Sequence, residues 1–205
     1  IGALETKNHY VENTEIPQSY NDCVILESTY GINTRVSKKT REFDVEHLRV
    51  AIDTVLERQG TLVLPAFSFS RSQELLTTLY LLFGNDESFD TPIVVDSMLT
   101  CDICDAYGSV LSDDYYELWN KVYNWKNVKY IREKTDSQAC VLDNTPKIVI
   151  SSSGFCTNGR ILSYLTQYLK DINSMICFSG FVGNDDSYLS YRIKNGKSHK
   201  TININ

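Results

Sequence analysis

Short apolar runs alternate along this chain with longer stretches whose apolar positions recur every three or four residues. The first run, CVILES (residues 23–28), reads as a strand, since a short unbroken apolar run fits a strand buried on both faces. Residues 44–60 then place Val45, Leu48, Ile52, Val55 and Leu56 at helical spacing, and Gly60 supplies a stop. TLVLPAF (61–67) predicts the next strand and leads into a helix from Arg71 to near Phe83, with Ser70 and Gln73 at capping-box spacing. PIVVDS (92–97) predicts a strand, and helices are expected over 99–111 and 114–125. Strands follow at 128–133 and 147–154, a helix at 160–170, a strand at 174–181, a weaker helix at 187–194 and a last strand at 200–205.

Such alternation predicts an α/β fold: an open, mainly parallel, twisted sheet of about six strands with helices on both faces. With 205 residues, 42% of them hydrophobic and 22% charged, the chain can fill one domain with a sizeable core. No apolar run approaches the roughly 20 residues of a membrane span, and no signal peptide is visible, so a cytoplasmic protein without membrane contact is expected. The chain opens on Ile1 and closes inside a strand-like pattern, TININ, so it reads as a segment of a longer protein.

The net charge of −6 opposes nucleic-acid binding through the whole surface; a polyanion partner needs a local positive field. Six cysteines are scattered through the sequence. Cys23 and Cys177 lie in apolar runs, where a thiol acts as a small hydrophobe. Cys101 and Cys104 have CxxC spacing, but no second pair accompanies them, which argues against structural zinc. His9, His47 and His199 form no HxH or HExxH pattern, so a histidine-based metal centre within this chain is not expected. The aromatic residues between Tyr115 and Trp125 fall at helical spacing and are expected in a core.

The strand exits carry the chemistry. They read Glu27-Ser28-Thr29-Tyr30, then Ser68, Ser70 and Arg71, then Asp96-Ser97, then Ser151-Ser152-Ser153. In a parallel sheet these exits share one edge, where open α/β sheets bind ligands. Short polar residues there also make turns and helix caps, and Ser70 is expected to be such a cap. SSSGFCTNGR (151–160) sets hydroxyls, backbone N–H groups and Arg160 before a helix, a way of holding phosphate, yet it lacks the Walker lysine and the dinucleotide glycine spacing. Glu27 follows three apolar residues, so its carboxylate needs a partner. Arg35 or Arg71 could supply one structurally, or the group could stand beside a metal or a histidine and handle protons.

Five motifs in order, ESTYG (27–31), LPAFSFSRSQELL (64–76), VDS (95–97), SSSGFCTNGRILSYL (151–165) and FSGFVG (178–183), resemble the β-CASP domain of metallo-β-lactamase-fold RNA-processing nucleases, the group of the polyadenylation cleavage factor and ribonuclease J. The resemblance covers nearly the whole chain as a single β-CASP domain, with residues 1–20 and 198–205 as connections to a metallo-β-lactamase domain elsewhere in a parent protein. It implies a zinc-dependent ribonuclease whose two zinc ions lie in that other domain, with single-stranded RNA entering the cleft between the two and no metal bound by this chain. Glu27 would orient or tune a general acid, and Ser70, Arg71, Ser152, Ser153, Gly154, Gly159 and Arg160 would line the cleft and meet phosphate. A non-catalytic nucleic-acid-binding or scaffold domain is the competing expectation. The sequence departs from the family pattern at Arg35, where relatives commonly carry a histidine, and at Asn184-Asp185-Asp186, which adds acid near the cleft.

Overall fold

The computed structural model describes residues 41–196. The expected strands at 23–28 and 200–205, Glu27 and Arg35 lie outside the described residues. Five strands, β1 (Thr61–Pro65), β2 (Ile93–Asp96), β3 (Val128–Ile131), β4 (Lys147–Ser151) and β5 (Met175–Ile176), form one sheet of order β3-β2-β4-β1-β5. Every pairing is parallel, as the alternation of strands and helices requires.

Side chains alternate across the sheet and build two cores. On one face Leu62, Leu64, Ile93, Val95, Ile148 and Ile150 meet α1 (Arg41–Glu57), α2 (Arg71–Phe83), α3 (Met98–Tyr107) and α4 (Asp113–Tyr123). On the other, Val63, Val94, Ile131 and Val149 meet α5 (Lys134–Leu142), α6 (Ile161–Tyr168) and α7 (Leu189–Lys194). Each fully buried aliphatic side chain contributes about 1.5–3 kcal/mol. Of the aromatic residues expected in a core, Trp119 of α4 and Trp125 just beyond it are buried, with Tyr107 edge-on to Trp119 at 4.9 Å and Tyr80 edge-on to Trp125 at 5.4 Å, whereas Tyr116 is exposed. Among the described residues no helix is long and apolar enough to cross a membrane.

Local chemistry moves several expected boundaries. Helix α1 ends not on Gly60 but on Gln59, whose φ of 56° is left-handed. Gln59 N–H donates to Leu56 O and Gly60 N–H to Val55 O, the paired bonds of a Schellman stop. Gly60 is needed for space instead: a Cβ there would stand 2.1 Å from Asn173 O. The strand expected at 174–181 shrinks to two residues. Ala66 N–H goes to Ser151 O of β4, so the nitrogen of Pro65 faces β5, and it has no proton to give. The ladder stops there. Helix α5 was not expected; of its residues only Ser137 and Val141 are buried, too few to print a helical period.

Candidate functional site

Because all five strands are parallel, the exits of β1, β2, β4 and β5 lie along one edge, and α2, α3, α5 and α6 all begin there. Four helix N-termini therefore turn their positive dipole ends toward this edge, although the first N–H groups of α6 are already taken by Ser152 O, Gly159 O and Arg160 O and that of Thr100 in α3 by Ser97 Oγ.

The centre of the edge is Asp96, the last residue of β2 and fully buried. Its Oδ1 accepts from Arg160 Nη1 at 2.7 Å, and its Oδ2 from Tyr164 Oη at 2.6 Å and Ser137 Oγ at 2.7 Å. Its carbonyl oxygen takes the Ser151 hydroxyl at 2.7 Å. A buried carboxylate is tolerable only with such a full set of donors. Burial first, then the bond to Asp96, pushes the Tyr164 phenol well above the ordinary tyrosine range, so the hydroxyl stays a donor. Arg160 also donates to Ile131 O at 3.0 Å and to Arg132 O. Arg160, expected to meet phosphate, thus holds the end of its loop against β2 and β3.

That loop, between β4 and α6, is tied to itself. Ser153 Oγ accepts from Thr157 N–H at 3.1 Å, Ser153 N–H donates to Asn158 O, and Ile161 N–H donates to Ser152 O. Ser152 Oγ crosses to Ser97 Oγ at 2.8 Å, and Ser97 caps α3 by accepting from Thr100 N–H. Gly159 has φ +85°, and a Cβ on it would fall 2.4 Å from Ser152 O; a Cβ on Gly154 would press the Phe67 ring at 3.0 Å. Gly159 excludes a side chain outright, while at Gly154 the exposed Phe67 ring would have to give by a few tenths of an ångström. Ser152 and Ser153 are half-buried, and Thr157, Asn158 and Gly159 are exposed.

Ser70 is not the expected cap. It has φ 67° and ψ −61° and makes no side-chain capping bond, while Arg71 N–H donates to Phe69 O at 2.8 Å. This is a γ-turn with positive φ at its centre, a strained shape. The Gln73 amide reaches Ser68 O and Cys104 Sγ instead of completing a capping box. Arg71 pairs with Glu74 at 2.7 Å, three residues along its own helix. The structure thus brings Ser70, Arg71, Ser152, Ser153, Gly154, Gly159 and Arg160 to one edge, with Arg71 and Arg160 holding carboxylates.

Sequence reasoning missed the apolar component of this edge. Phe67, Phe69, Met98, Leu99 and Phe181 are all exposed. Phe155 joins Phe67 edge-on at 5.0 Å and Phe181 at 6.1 Å. The signal available was FSFS directly after a strand, where turn residues alone would suffice. Asp185, part of the added acid, binds Ser187 N–H, and its carboxyl lies below the usual range chiefly through the Ser187 hydroxyl.

Among the described residues no group of three or more His, Cys, Asp or Glu could hold a metal ion. Cys101 and Cys104 are buried, with Cys101 Sγ directed at Val95 O and Ile131 O; burial pushes the Cys104 thiol up to about 12. This CxxC pair is part of the core.

A family model of the Beta-Casp domain matches residues 72–186, more than half of the chain and most of this edge. The chain belongs to the Beta-Casp domain family. Its curated relatives include the transcription termination factor FttA of Methanocaldococcus jannaschii, 29% identical over 169 residues, 78% of this chain and 26% of that protein. The endoribonuclease YSH1 of Kluyveromyces lactis is 23% identical over 185 residues, 85% of this chain and 23% of its own. An RNase J-like protein of M. jannaschii is 28% identical over 180 residues, 85% of this chain and 41% of its own. This Beta-Casp chain spans about a quarter to two-fifths of the length of these relatives.

Proposed function

We propose that this chain is the RNA-facing Beta-Casp part of a longer, zinc-dependent RNA-processing nuclease. The observation that carries the reading is the composition of the carboxyl edge. Hydroxyls of Ser152 and Ser153 and the backbone of a glycine-bearing loop stand beside exposed phenylalanines, over four helix N-termini. Hydroxyls, N–H groups and dipole ends suit phosphate, and aromatic faces suit the unstacked bases of a single strand. The names of the relatives, an endoribonuclease and an RNase J-like protein among them, support the same reading.

In this proposal Ser70, Ser152, Ser153, Gly154 and Gly159 shape the RNA wall, while Arg160 and Arg71 hold its loops and add positive field. Glu27 orients a general acid supplied from outside this chain, and two zinc ions supply hydrolysis from a metallo-β-lactamase domain of the parent. The 205-residue chain alone turns nothing over. Five unpaired cysteines among the described residues accord with a cytoplasmic location.

The test is cleavage of single-stranded RNA by the full-length parent, by its Glu27→Gln variant and by the 205-residue chain. We expect zinc-dependent cleavage by the parent, a loss of about a hundredfold or more in the variant, and none by the chain alone. A parent that does not cleave RNA but still binds it would select the scaffold reading.

A further inference from the structure

The run Ser151-Ser152-Ser153 brings three hydroxyls to the carboxyl edge, and the structure gives each of their protons an acceptor within the protein. Ser151 Oγ donates to Asp96 O at 2.7 Å, Ser152 Oγ to Ser97 Oγ at 2.8 Å and Ser153 Oγ to Asn158 O at 3.3 Å. A hydroxyl has one proton and two lone pairs. With its proton engaged it serves a ligand only as an acceptor, and phosphate oxygens, being acceptors themselves, gain nothing from it.

The three hydroxyls differ in what they have left. Ser151 is buried. Ser153 Oγ accepts from Thr157 N–H at 3.1 Å and from Asn158 N–H at 3.4 Å, so both of its lone pairs are used inside the loop. Ser152 is half-buried, and its oxygen accepts from no group among the described residues. Its partner is anchored, because Ser97 Oγ also takes the Thr100 N–H at the start of α3. Ser152 therefore turns free lone pairs toward the cleft, and they call for a donor.

A single strand of RNA carries donors on its base edges and on its 2′-hydroxyls, and the latter are what DNA lacks. Phe67 favours the sugar. Its exposed ring lies against Gly154, where a Cβ would stand 3.0 Å from it. Gly154 is two peptide units from Ser152, about 7 Å at most. A base stacked on Phe67 keeps its ribose within reach of Ser152, and the ribose is joined to the base on the side away from its pairing edge. Reading a base takes paired donors and acceptors; a lone acceptor does not suffice.

We propose that Ser152 Oγ accepts the 2′-hydroxyl of a ribonucleotide whose base stacks on Phe67. The edge then distinguishes RNA from DNA at one sugar without reading the base. This assignment rests on the nuclease reading of the edge and deepens it: phosphate is left to the positive ends of the helices, and Ser152 determines the sugar. A 2′-deoxy sugar sets a C–H group against the Ser152 oxygen and leaves that acceptor unpaired.

The test is affinity of the full-length parent, in chelator so that metal-dependent cleavage stops, for single-stranded oligoadenylate and oligouridylate. Each strand is compared with versions carrying one 2′-deoxy sugar at each position in turn. The wild-type parent should lose about 3- to 10-fold in affinity at one position, equally for both bases. Ser152→Ala should bind the unmodified strands weaker by the same factor and lose nothing further at that position. Phe67→Ala should weaken binding to both strands. A wild-type parent indifferent to every 2′-deoxy sugar would overturn the assignment without the help of any variant. So would a Ser152→Ala parent that keeps the full penalty, or a penalty confined to one base. Those failures leave the nuclease reading standing, whereas a parent that binds neither strand fails that reading and this assignment together.

Discussion

Arg160 Nη1 and Asp96 Oδ1 stand 2.7 Å apart beneath the carboxyl edge, the carboxylate fully buried and the guanidinium partly open to solvent. One ion pair thus joins the end of β2 to the start of α6, and the loop between β4 and α6 is held in the position from which it can face a ligand. Removing one member of such a pair is costly, because the other charge is left buried. We expect Arg160→Leu to destabilise the chain by about 3–5 kcal/mol in urea denaturation. Tyr164→Phe, which removes one neutral donor from the same carboxylate, should cost about 1–3 kcal/mol. Equal effects would mean that Asp96 does not depend on its charged partner.

The glycines of the site make a second contrast. Gly159→Ala puts a Cβ against Ser152 O on a left-handed backbone, so a loss of at least about 1 kcal/mol is expected. RNA affinity of the parent should fall with it. Gly180→Ala meets nothing within 4 Å and should leave thermal stability and RNA affinity nearly unchanged.

Ser70 and Gln59 are non-glycine residues at positive φ. Replacement by glycine relieves strain of about 1–3 kcal/mol at the γ-turn, against an entropic cost of about 0.5–1 kcal/mol. Ser70→Gly should therefore raise the melting temperature, and Ser70→Val should lower it. A fall on Ser70→Gly would show that the hydroxyl does more for the fold than the turn costs it.

Burial raises the Cys104 and Cys156 thiols from 9.0 to about 12. Above pH 9 the unfolded chain releases these protons and the folded chain keeps them, so stability is complete below pH 9 and falls as pH rises toward 12. Each thiol contributes a slope of about 1.4 kcal/mol per pH unit. Denaturation between pH 8 and 11 should show the decline, and Cys104→Ala should flatten it while lowering the stability at pH 8.

The parallel sheet and nearly every helix were legible because the apolar residues of this chain repeat at strand or helix period. What escaped was set by tertiary contact. α5 escaped because one of its two buried positions is Ser137, a polar residue that serves Asp96. The early end of β5 depends on which way the Pro65 nitrogen faces, which only the β1–β4 register reveals. The cap expected at Ser70 failed because its backbone, at φ 67° in a γ-turn, is outside the extended region a capping residue adopts. At the site, the serine loop stood out in the sequence, but the employment of Arg160 did not. A basic residue before a helix reads the same whether it meets a ligand or a buried aspartate 64 residues away.

The central claim, that the carboxyl edge is the surface that meets RNA, is tested most directly by amide exchange on the full-length parent with and without a non-cleavable single-stranded RNA. We expect RNA to slow exchange in residues 67–72 and 152–161, leaving the opposite edge, residues 58–61 and 144–147, unchanged. Protection of that opposite edge or of the outer faces of α1 and α4, with 67–72 and 152–161 unaffected, would contradict the account.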